Sequence, residues 1–403
     1  MVESFVVCVY GVNPEASEGA TWANLTFWRS ASQFARILIV TRGGSDTYEE
    51  VSNHLAEARI AAPFPSRNRL IRAIATTLFG GMASNVIQNL DDMVFAFRAR
   101  VLLRKSLHSC TRVHTYSFWF TLMGLYPKTL RHKMVYTETG GDWIEVSGGH
   151  MNLLSRVRYM LLGRFVLNRV KVLVESNQNI AAMARVGVKR SNMHRFLFWP
   201  GRPSKYKPST LQKSSDPFEV LFVGRLVPQK GLDTLVEAVD ILVNQMQLTK
   251  VKFVLVGPAA GFGVQDRTPY FESIIKSIQK RGLSSKFQIM GYVPRYTLND
   301  LYSRAMVHVM PSIHEAFGWV ALEAMLCGTP SIVTTTSGVS DFIQEGVSGF
   351  VVEPRNPQRL AGRLEFLVRN KEVSIEMGRM ARERASILME SFSKQQFIDV
   401  FAE

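Results

Sequence analysis

Residues 219–231 read EVLFVGRLVPQKG, and this stretch decides the fold. An apolar run, 220–223, ends at Gly224, and behind Gly231 leucine and valine recur at helical spacing from residue 232 to residue 243. A buried strand, a glycine turn and an amphipathic helix, in this order, form the repeating unit of a parallel α/β sheet. The stretch therefore predicts one strand-to-helix turn, with its loop at the carboxyl end of the strand.

The same alternation continues on both sides of this unit. Apolar or β-branched runs predict further strands at 5–10, 37–40, 112–115, 134–137, 172–174, 195–198, 252–256, 287–290, 307–310 and 331–334. Runs without polar alternation suit strands that are buried on both faces of a parallel sheet. Helical patterns such as 20–34 and 153–168 separate the runs. The sequence therefore predicts an α/β protein with two Rossmann-like domains facing across a cleft.

A Pro/Ser/Lys-rich segment, 200–216, is the natural linker between the two domains. A chain of 403 residues is long enough for two cores, since domains usually hold ~100–200 residues. We expect an N-terminal domain at 1–199 and a C-terminal domain at 217–384.

Composition excludes several classes of protein. Hydrophobic residues make up 46% of the chain, which excludes a disordered or fibrous protein. The three cysteines lie far apart, so a disulfide scaffold and a CxxC metal site are excluded too. No apolar run reaches the ~18–20 residues of a membrane helix, and the N-terminus reads as a strand and not as a signal peptide. We expect a cytoplasmic protein of a reducing compartment.

The positive charge is concentrated in the first half of the chain. Residues 1–200 carry 24 Lys+Arg and 13 Asp+Glu, whereas residues 201–403 carry 24 and 20. Two stretches without acid, 93–137 and 146–174, mix basic with apolar residues. This mixture suits an anionic membrane surface or a lipid-linked acceptor, and it predicts peripheral association with the inner face of the membrane. A solvated basic surface without a partner is the alternative; no zinc-finger spacing or long Lys/Arg run supports nucleic acid.

The loop 224–231 carries two cations, Arg225 and Lys230, beside Gly224. A guanidinium fork and an ammonium group at a helix N-terminus are suited to a diphosphate. The loop is not a Walker A motif, because no Gly-Lys-Ser/Thr occurs. The alternative is a surface turn with two solvated cations.

A second motif, HEAFGWVALEAMLCGTP, spans residues 314–330. We expect a loop that carries Glu315 and a helix from about Gly318 to Gly328, with Glu323 about one turn inside it. Each carboxylate accepts a pair of hydroxyl hydrogens, as sugar diols require, and the free N–H groups of the helix start accept phosphate. For Glu323 the alternative is an exposed helix carboxylate without a ligand.

The GR-x4-KG turn followed by E-x-F-G-x4-E resembles the retaining GT-B glycosyltransferases of the group 1 type, which use nucleotide-diphosphate sugars. The resemblance is specific from Phe218 to about Pro354 and includes Gly338 and the turn and strand at 346–350. In the first half it is looser and rests on Gly19 with its neighbours and on residues 174–180.

The resemblance implies a role for each residue of the two motifs. Arg225 and Lys230 would clamp the diphosphate, Glu315 would contact the donor sugar, and Glu323 would hold the ribose diol. Arg225, Lys230 and Glu315 are the catalytic candidates. The other donor-binding candidates, mostly through their backbone, are Gly19, Gly224, Tyr292, Val293, Ala316, Phe317, Gly318 and Trp319. A final helix within 385–403 would pack back on the N-terminal domain, which would bind the acceptor.

The implied activity is retaining transfer of a hexosyl group, in glycan biosynthesis, to a sugar or lipid-linked acceptor. The donor would be of the UDP or GDP type. The sequence has no DxD motif and no HExxH, so we expect no metal and no further cofactor. The cations and the helix N-terminus would stabilise the departing diphosphate, without a covalent enzyme nucleophile.

The chain departs from the family pattern in the first half. The family often has a histidine where this chain has Thr139. We name His114, Thr139 and Asp142 as acceptor-binding candidates, against a core histidine and ordinary loop residues as alternatives. A catalytically silent nucleotide-sugar-binding module is the alternative function.

Overall fold

A computed structural model describes residues 5–9, 28–29, 31–32, 35–42, 47–60, 77, 83–115, 118–125, 128–138, 157, 159–197, 206–210, 213–259, 268–391, 397 and 400–401. The chain divides into two compact units. The first unit comprises residues 1–175, 180–201 and 393–403, and the second comprises residues 176–179 and 202–392.

The first unit contains an eight-stranded sheet, counted over the described residues. Its strands are β1 (Phe5–Val9), β2 (Arg36–Arg42), β3 (Thr47–Ser52), β4 (Leu55–Ile60), β5 (Arg112–Thr115), β6 (Met134–Glu138), β7 (Lys171–Val174) and β8 (Met193–Arg195). Their order is β3-β4-β2-β1-β5-β6-β7-β8, and β3 runs antiparallel to β4 while the other pairs are parallel. The sheet centre is buried on both faces, as its continuous apolar strands require.

Helical segments accompany this sheet. They are α1 (Ala83–Leu102), α2 (Arg104–Ser109), α3 (Phe118–Gly124), α4 (Lys128–Arg131), a π-helical turn (Leu162–Val166), 3-10 turns at Leu167–Arg169 and Arg190–Asn192, and α5 (Asn177–Arg185). Part of the core comes from the C-terminal end of the chain. The rings of Phe397 and Phe401 lie 6.0 and 5.0 Å from that of Trp28, and all three side chains are buried.

The second unit has a six-stranded sheet in which every described pair is parallel. Its strands are β9 (Phe218–Val223), β10 (Val251–Val256), β11 (Phe287–Gly291), β12 (Val307–Met310), β13 (Ser331–Thr334) and β14 (Gly349–Val352). The order is β11-β10-β9-β12-β13-β14. The chain thus builds outward from β9 in one direction and then returns to the other side of β9 with β12. The junction of β9 and β12 is a topological switch point, where loops leave neighbouring strands in opposite directions and open a crevice.

Helices connect the strands of the second unit. They are α6 (Leu232–Asp240), extended by a π-helical segment (Ile241–Gln245), α7 (Pro269–Lys280), α8 (Arg295–Arg304), α9 (Trp319–Leu326), α10 (Pro357–Arg369) and α11 (Lys371–Ser391), with 3-10 turns at Pro228–Lys230, Ser284–Lys286 and Gly338–Phe342. All six residues of β9 are buried. Its one charged residue, Glu219, is paired with Arg304 at 3.0 Å, as a buried carboxylate requires.

The predicted α/β class with two parallel sheets is confirmed. Most predicted strands lie within one or two residues of their observed bounds, but β8 ends at Arg195, where the predicted strand began. The strands β3 and β4 were missed, because their sequences TYEEVS and LAEARI have no continuous apolar run and β3 is exposed throughout. Of the predicted helix 153–168, the later part forms π- and 3-10 turns.

The boundaries between the two units differ from those that the sequence predicted for the linker and for the C-terminal helix. The described linker residues, 206–210 and 213–216, belong to the second unit. Helix α11 continues to Ser391 within the second unit, and the chain returns to the first unit only from Ser393 onward.

Candidate active site

Two loops meet at the switch point of the second sheet. The loop 224–231 follows β9, and the loop 311–318 follows β12. The N–H of Ile313 donates to the carbonyl of Gln229 at 2.8 Å, and the amide of Gln229 donates to the carbonyl of His314 at 3.3 Å. Gly231 has a φ of +67°, and a Cβ at this position would collide with the carbonyl oxygen of Pro311. A glycine is therefore needed here for the two loops to pack together.

An ion pair also joins the two predicted motifs. The Nζ of Lys230 contacts Oε2 of Glu315, and the two side chains are only 15% and 18% exposed. Opposite charges that are largely shielded from water attract more strongly than on an open surface, so each group holds the other in place. The cation predicted for the diphosphate and the carboxylate predicted for the sugar thus occupy one site.

Arg225 lies on the exposed side of the same loop. The loop is anchored to the end of β10, since the N–H of Gly224 donates to Val256 at 2.9 Å and that of Leu226 to Pro258 at 2.8 Å. In the part of the chain that the structure describes, Arg225 takes part in no ion pair. An exposed guanidinium on an anchored loop is suited to bind an anion.

The loop 311–318 is also fixed from its other side. Glu315 donates its N–H to Thr336 at 3.0 Å, and its carbonyl accepts from Gly338 at 3.2 Å. Ala316 and Phe317 are buried, and Gly318, with a φ of +101°, precedes helix α9. The first N–H groups of α9 have no partner within the helix, so they supply donors and partial positive charge next to Glu315.

Glu323 is buried within the second unit. Its side chain is 4% exposed, and the hydroxyl of Tyr302 on α8 donates to it at 2.9 Å. A second tyrosine, Tyr206, packs edge to face on Tyr302 and lies close enough to the carboxylate to influence its pKa. Burial raises the pKa of Glu323, while the nearby Arg295 and the two tyrosine hydroxyls act in the opposite direction. The alternative of an exposed helix carboxylate is therefore wrong.

The remaining donor candidates lie at the end of β11. Tyr292 is 52% exposed and Val293 is half-buried. The N–H of Gly257 donates to the carbonyl of Gly291 at 2.7 Å, which links the ends of β10 and β11. The carboxyl ends of β11, β10, β9 and β12 therefore adjoin, and the loop residues after three of them are predicted donor contacts.

The first-unit candidates have different outcomes. His114 is fully buried, its Nε2 lies 2.7 Å from the hydroxyl of Thr137, and its ring packs 4.8 Å from that of Trp28. Burial lowers the pKa of His114 to about 3, so the imidazole is neutral near pH 7. The structure makes it a core residue without surface open to an acceptor. Gly19, Thr139 and Asp142 lie outside the described residues.

Sequence reasoning missed the residues that surround Glu323. Helix α8 carries Tyr302 and Arg295, and the predicted linker carries Tyr206. No sequence motif distinguishes these three residues. Because Tyr206 and Glu323 lie far apart in the sequence, no sequence pattern links them, and only the folded structure shows that they are neighbours.

The described residues provide neither a metal site nor a membrane-spanning helix. None of these residues form a cluster of three or more His, Cys, Asp or Glu with the geometry of a metal site. None of the described helices combines the length and the apolar character needed to cross a bilayer.

The second half of the chain is similar to a known protein family. Residues 205–384 match the family model for glycosyl transferases group 1. An uncharacterized glycosyltransferase of Methanocaldococcus jannaschii is 37% identical over 142 residues, which cover 35% of this chain and 33% of that protein. The chain spans a third to a half of the length of the curated relatives that it matches first.

Solved structures resemble the whole chain in fold. Sucrose-phosphate synthase from Thermosynechococcus elongatus superposes with a TM-score of 0.76 at 20% identity and covers 98% of both chains. HepE of Anabaena, solved in complex with UDP-glucose, superposes with a TM-score of 0.67 at 19% identity and also covers 98% of both chains. At these identities the likeness shows the fold alone.

Proposed function

We propose that the chain, whose residues 205–384 match the family model for glycosyl transferases group 1, is a glycosyltransferase with the GT-B fold. It transfers a hexosyl group from a nucleotide-diphosphate sugar to a sugar or lipid-linked acceptor. The second unit binds the donor and the first unit binds the acceptor. Transfer proceeds with retention of configuration and without a metal cofactor.

The observation that carries this proposal is the Lys230–Glu315 pair at the switch point, with Arg225 exposed beside it. A diphosphate is a stronger partner for Lys230 than a single carboxylate, because it carries more negative charge. When it binds, Lys230 and Arg225 contact its oxygens and Glu315 becomes free to accept hydrogen bonds from the sugar hydroxyls.

The chemical step follows from this arrangement. The bond between the anomeric carbon and the diphosphate oxygen breaks, and its electron pair remains on the diphosphate. The acceptor hydroxyl forms the new bond on the same face, and its proton passes to the departing diphosphate. The two cations and the N-terminus of α9 stabilise the charge that develops there.

Uracil and guanine are the bases we propose for the donor. Solved structures of HepE contain UDP and UDP-glucose, and the fold of that protein is similar to this one. The base would lie against the backbone around Tyr292 and Val293. Because backbone groups would recognise it, the residue types there do not indicate which base binds.

The proposal is tested by a thermal-shift panel of UDP, GDP and ADP, followed by an assay of nucleotide release from the matching sugar donors. We expect one nucleotide at ~100 Kd to add about 2.7 kcal/mol of stability and the variant Glu315→Gln to release little nucleotide. A shift without any nucleotide release, over a panel of glycan and lipid-linked acceptors, would favour the silent binding module. The absence of a shift with all three nucleotides would contradict both functions.

For the acceptor side we propose that the protein is cytoplasmic and binds the inner leaflet of the membrane. The surface that binds is called the basic apolar face. It comprises the exposed side chains of α1, of α2 and of the residues 160–169, all in the first unit. The apolar members are Phe97, Val101, Leu102, Met160, Leu161 and Phe165, and the cationic members are Arg104, Lys105, Arg164 and Arg169. Helix α3 packs against both α1 and the π-helical turn and so connects these segments. Exposed rings flanked by cations suit an anionic bilayer.

The double variant Phe97→Ser, Phe165→Ser is expected to reduce binding to vesicles with anionic lipid at least tenfold. Each exposed phenylalanine loses the apolar burial that the bilayer offers, worth about 1.5–3 kcal/mol when complete. Co-sedimentation at low and high salt measures the effect, since screening weakens the cationic part. Tyr48→Ser, which removes an exposed ring on β3, is the matched control. Vesicle binding that is weak and independent of anionic lipid and of salt would contradict the proposed surface.

A further inference from the structure

The chain segment that enters the second unit is hydrogen-bonded to α8, the helix that carries Tyr302. The N–H of Lys207 donates to the side chain of Asn299 at 3.0 Å, and the N–H of Ser209 donates to the hydroxyl of Ser303 at 3.0 Å. Further along, the Nζ of Lys213 donates to the carbonyl of Ala305 at 2.8 Å. We call the described residues 206–210 and 213 the entry segment. It is thus hydrogen-bonded to the second half of α8 and to the residue that follows this helix.

The same segment also places the side chain of Tyr206 near the carboxylate of Glu323. The rings of Tyr206 and Tyr302 pack edge to face with centroids 6.3 Å apart. The hydroxyl of Tyr302 donates to Glu323 at 2.9 Å, and Tyr206 lies close enough to stabilise the charge of the same carboxylate. An ionised carboxylate has about four lone-pair sites, so two tyrosines leave room for both hydroxyls of a diol.

We propose that Tyr206 and Tyr302 are positioning residues for recognition of the donor ribose: they orient the Glu323 carboxylate so that it accepts both ribose hydroxyls. The inference rests on the proposed function, in which Glu323 binds the ribose. It goes beyond that function because it assigns two further residues, one of them in the segment that enters the unit.

The physical reason is the burial of Glu323. A carboxylate removed from water favours its neutral form unless donors stabilise its charge. Burial raises the pKa of Glu323, whereas the charge of Arg295 and, after it, the hydroxyls of Tyr302 and Tyr206 act in the opposite direction. A protonated acid would keep one oxygen occupied by its own hydrogen and would accept less well from a diol. Loss of a tyrosine hydroxyl therefore weakens ribose binding and shifts its loss at low pH to a higher pH.

The experiment compares binding of the ribonucleoside diphosphate with that of its 2′,3′-dideoxy analogue, with UDP and GDP as probes, in the full-length protein. We expect Glu323→Gln to abolish the preference for the ribose form. We expect Tyr302→Phe to reduce this preference about tenfold, in line with a hydrogen bond to a charged group. Tyr206→Phe should reduce it to a smaller extent, and both variants should shift the pH profile of ribonucleotide affinity upward.

A matched control is Tyr270→Phe, which removes a hydroxyl 3.4 Å from Asp233 in the same unit. It should change neither the ribose preference nor the pH profile. A purely structural role would lower the affinity for both analogues equally, and this would overturn the inference. Tyr206 is less buried than Tyr302, so its variant keeps the test valid if Tyr302→Phe fails to fold.

Different outcomes test the role of Glu323 and the roles of the two tyrosines. If Glu323→Gln retains the ribose preference, the proposed role of Glu323 is wrong and the inference falls with it. If Glu323→Gln loses the preference while both tyrosine variants keep it together with the wild-type pH profile, the inference alone is overturned.

Discussion

Replacing Lys230 with alanine is expected to lower kcat for glycosyl transfer by about 10²–10³-fold, the usual cost of removing one preorganised group that stabilises developing charge. The loss should fall on kcat more than on KM, because the charge on the leaving diphosphate is largest in the transition state. In the free protein the same change leaves Glu315 without its cation, since the two side chains form an ion pair. The measurement is the steady-state rate of nucleotide release with the donor identified by the thermal-shift panel.

Lys250→Ala is the matched control for this variant. Lys250 belongs to the same unit and also pairs with a carboxylate, Asp216, at 3.2 Å, but the side chain is 78% exposed. An exposed pair contributes little, so this variant should retain both the wild-type stability and the wild-type rate. Equal kcat values for Lys230→Ala and Lys250→Ala would show that Lys230 does not stabilise the leaving group, and the proposed step would have to be abandoned.

The stability of the protein is expected to rise by about 2 kcal/mol between pH 7 and pH 9 through Lys213 alone. Burial lowers the pKa of Lys213 from 10.5 to about 7. Between these two values the unfolded chain binds the proton and the folded chain does not, so the free energy of unfolding increases with pH. It decreases again as the pH falls toward 7. The ammonium group contacts the carbonyl of Ala305 and the hydroxyl of Thr329, and no carboxylate forms an ion pair with it within the described residues.

Urea unfolding of wild type and Lys213→Met at pH 7, 8 and 9 measures this contribution. The variant should lose the slope that Lys213 supplies, and the difference between the two proteins isolates that group from other titrations. The neighbouring thiol of Cys327 has its pKa raised by burial to about 12, so it stays protonated over this range. Lys250→Met, which removes an exposed lysine, should keep the wild-type slope. Identical slopes for wild type and Lys213→Met would refute the prediction.

The sequence was most informative where structure is encoded locally. The parallel strands were found because a strand that is buried on both faces must be apolar without interruption, as β9 and β12 are. The edge strand β3 was missed for the same reason, since an exposed strand needs no such run. Its neighbour β4 was missed because partly buried residues interrupt its buried ones. The loops around Lys230 and Glu315 were found because a glycine turn and a helix start leave their own residue types in the sequence.

Within the site, the sequence by itself determined which charged residues stand at the ends of β9 and β12, and the order of the strands brings those ends together. Only the tertiary structure decided that Lys230 and Glu315 pair, that His114 belongs to the core, and that Glu323 is buried against two tyrosines. Hydrogen-bond partners distant in the chain need only the right atoms at the right distance. Such contacts impose no periodicity or composition on the sequence, and they exist only once the chain has folded.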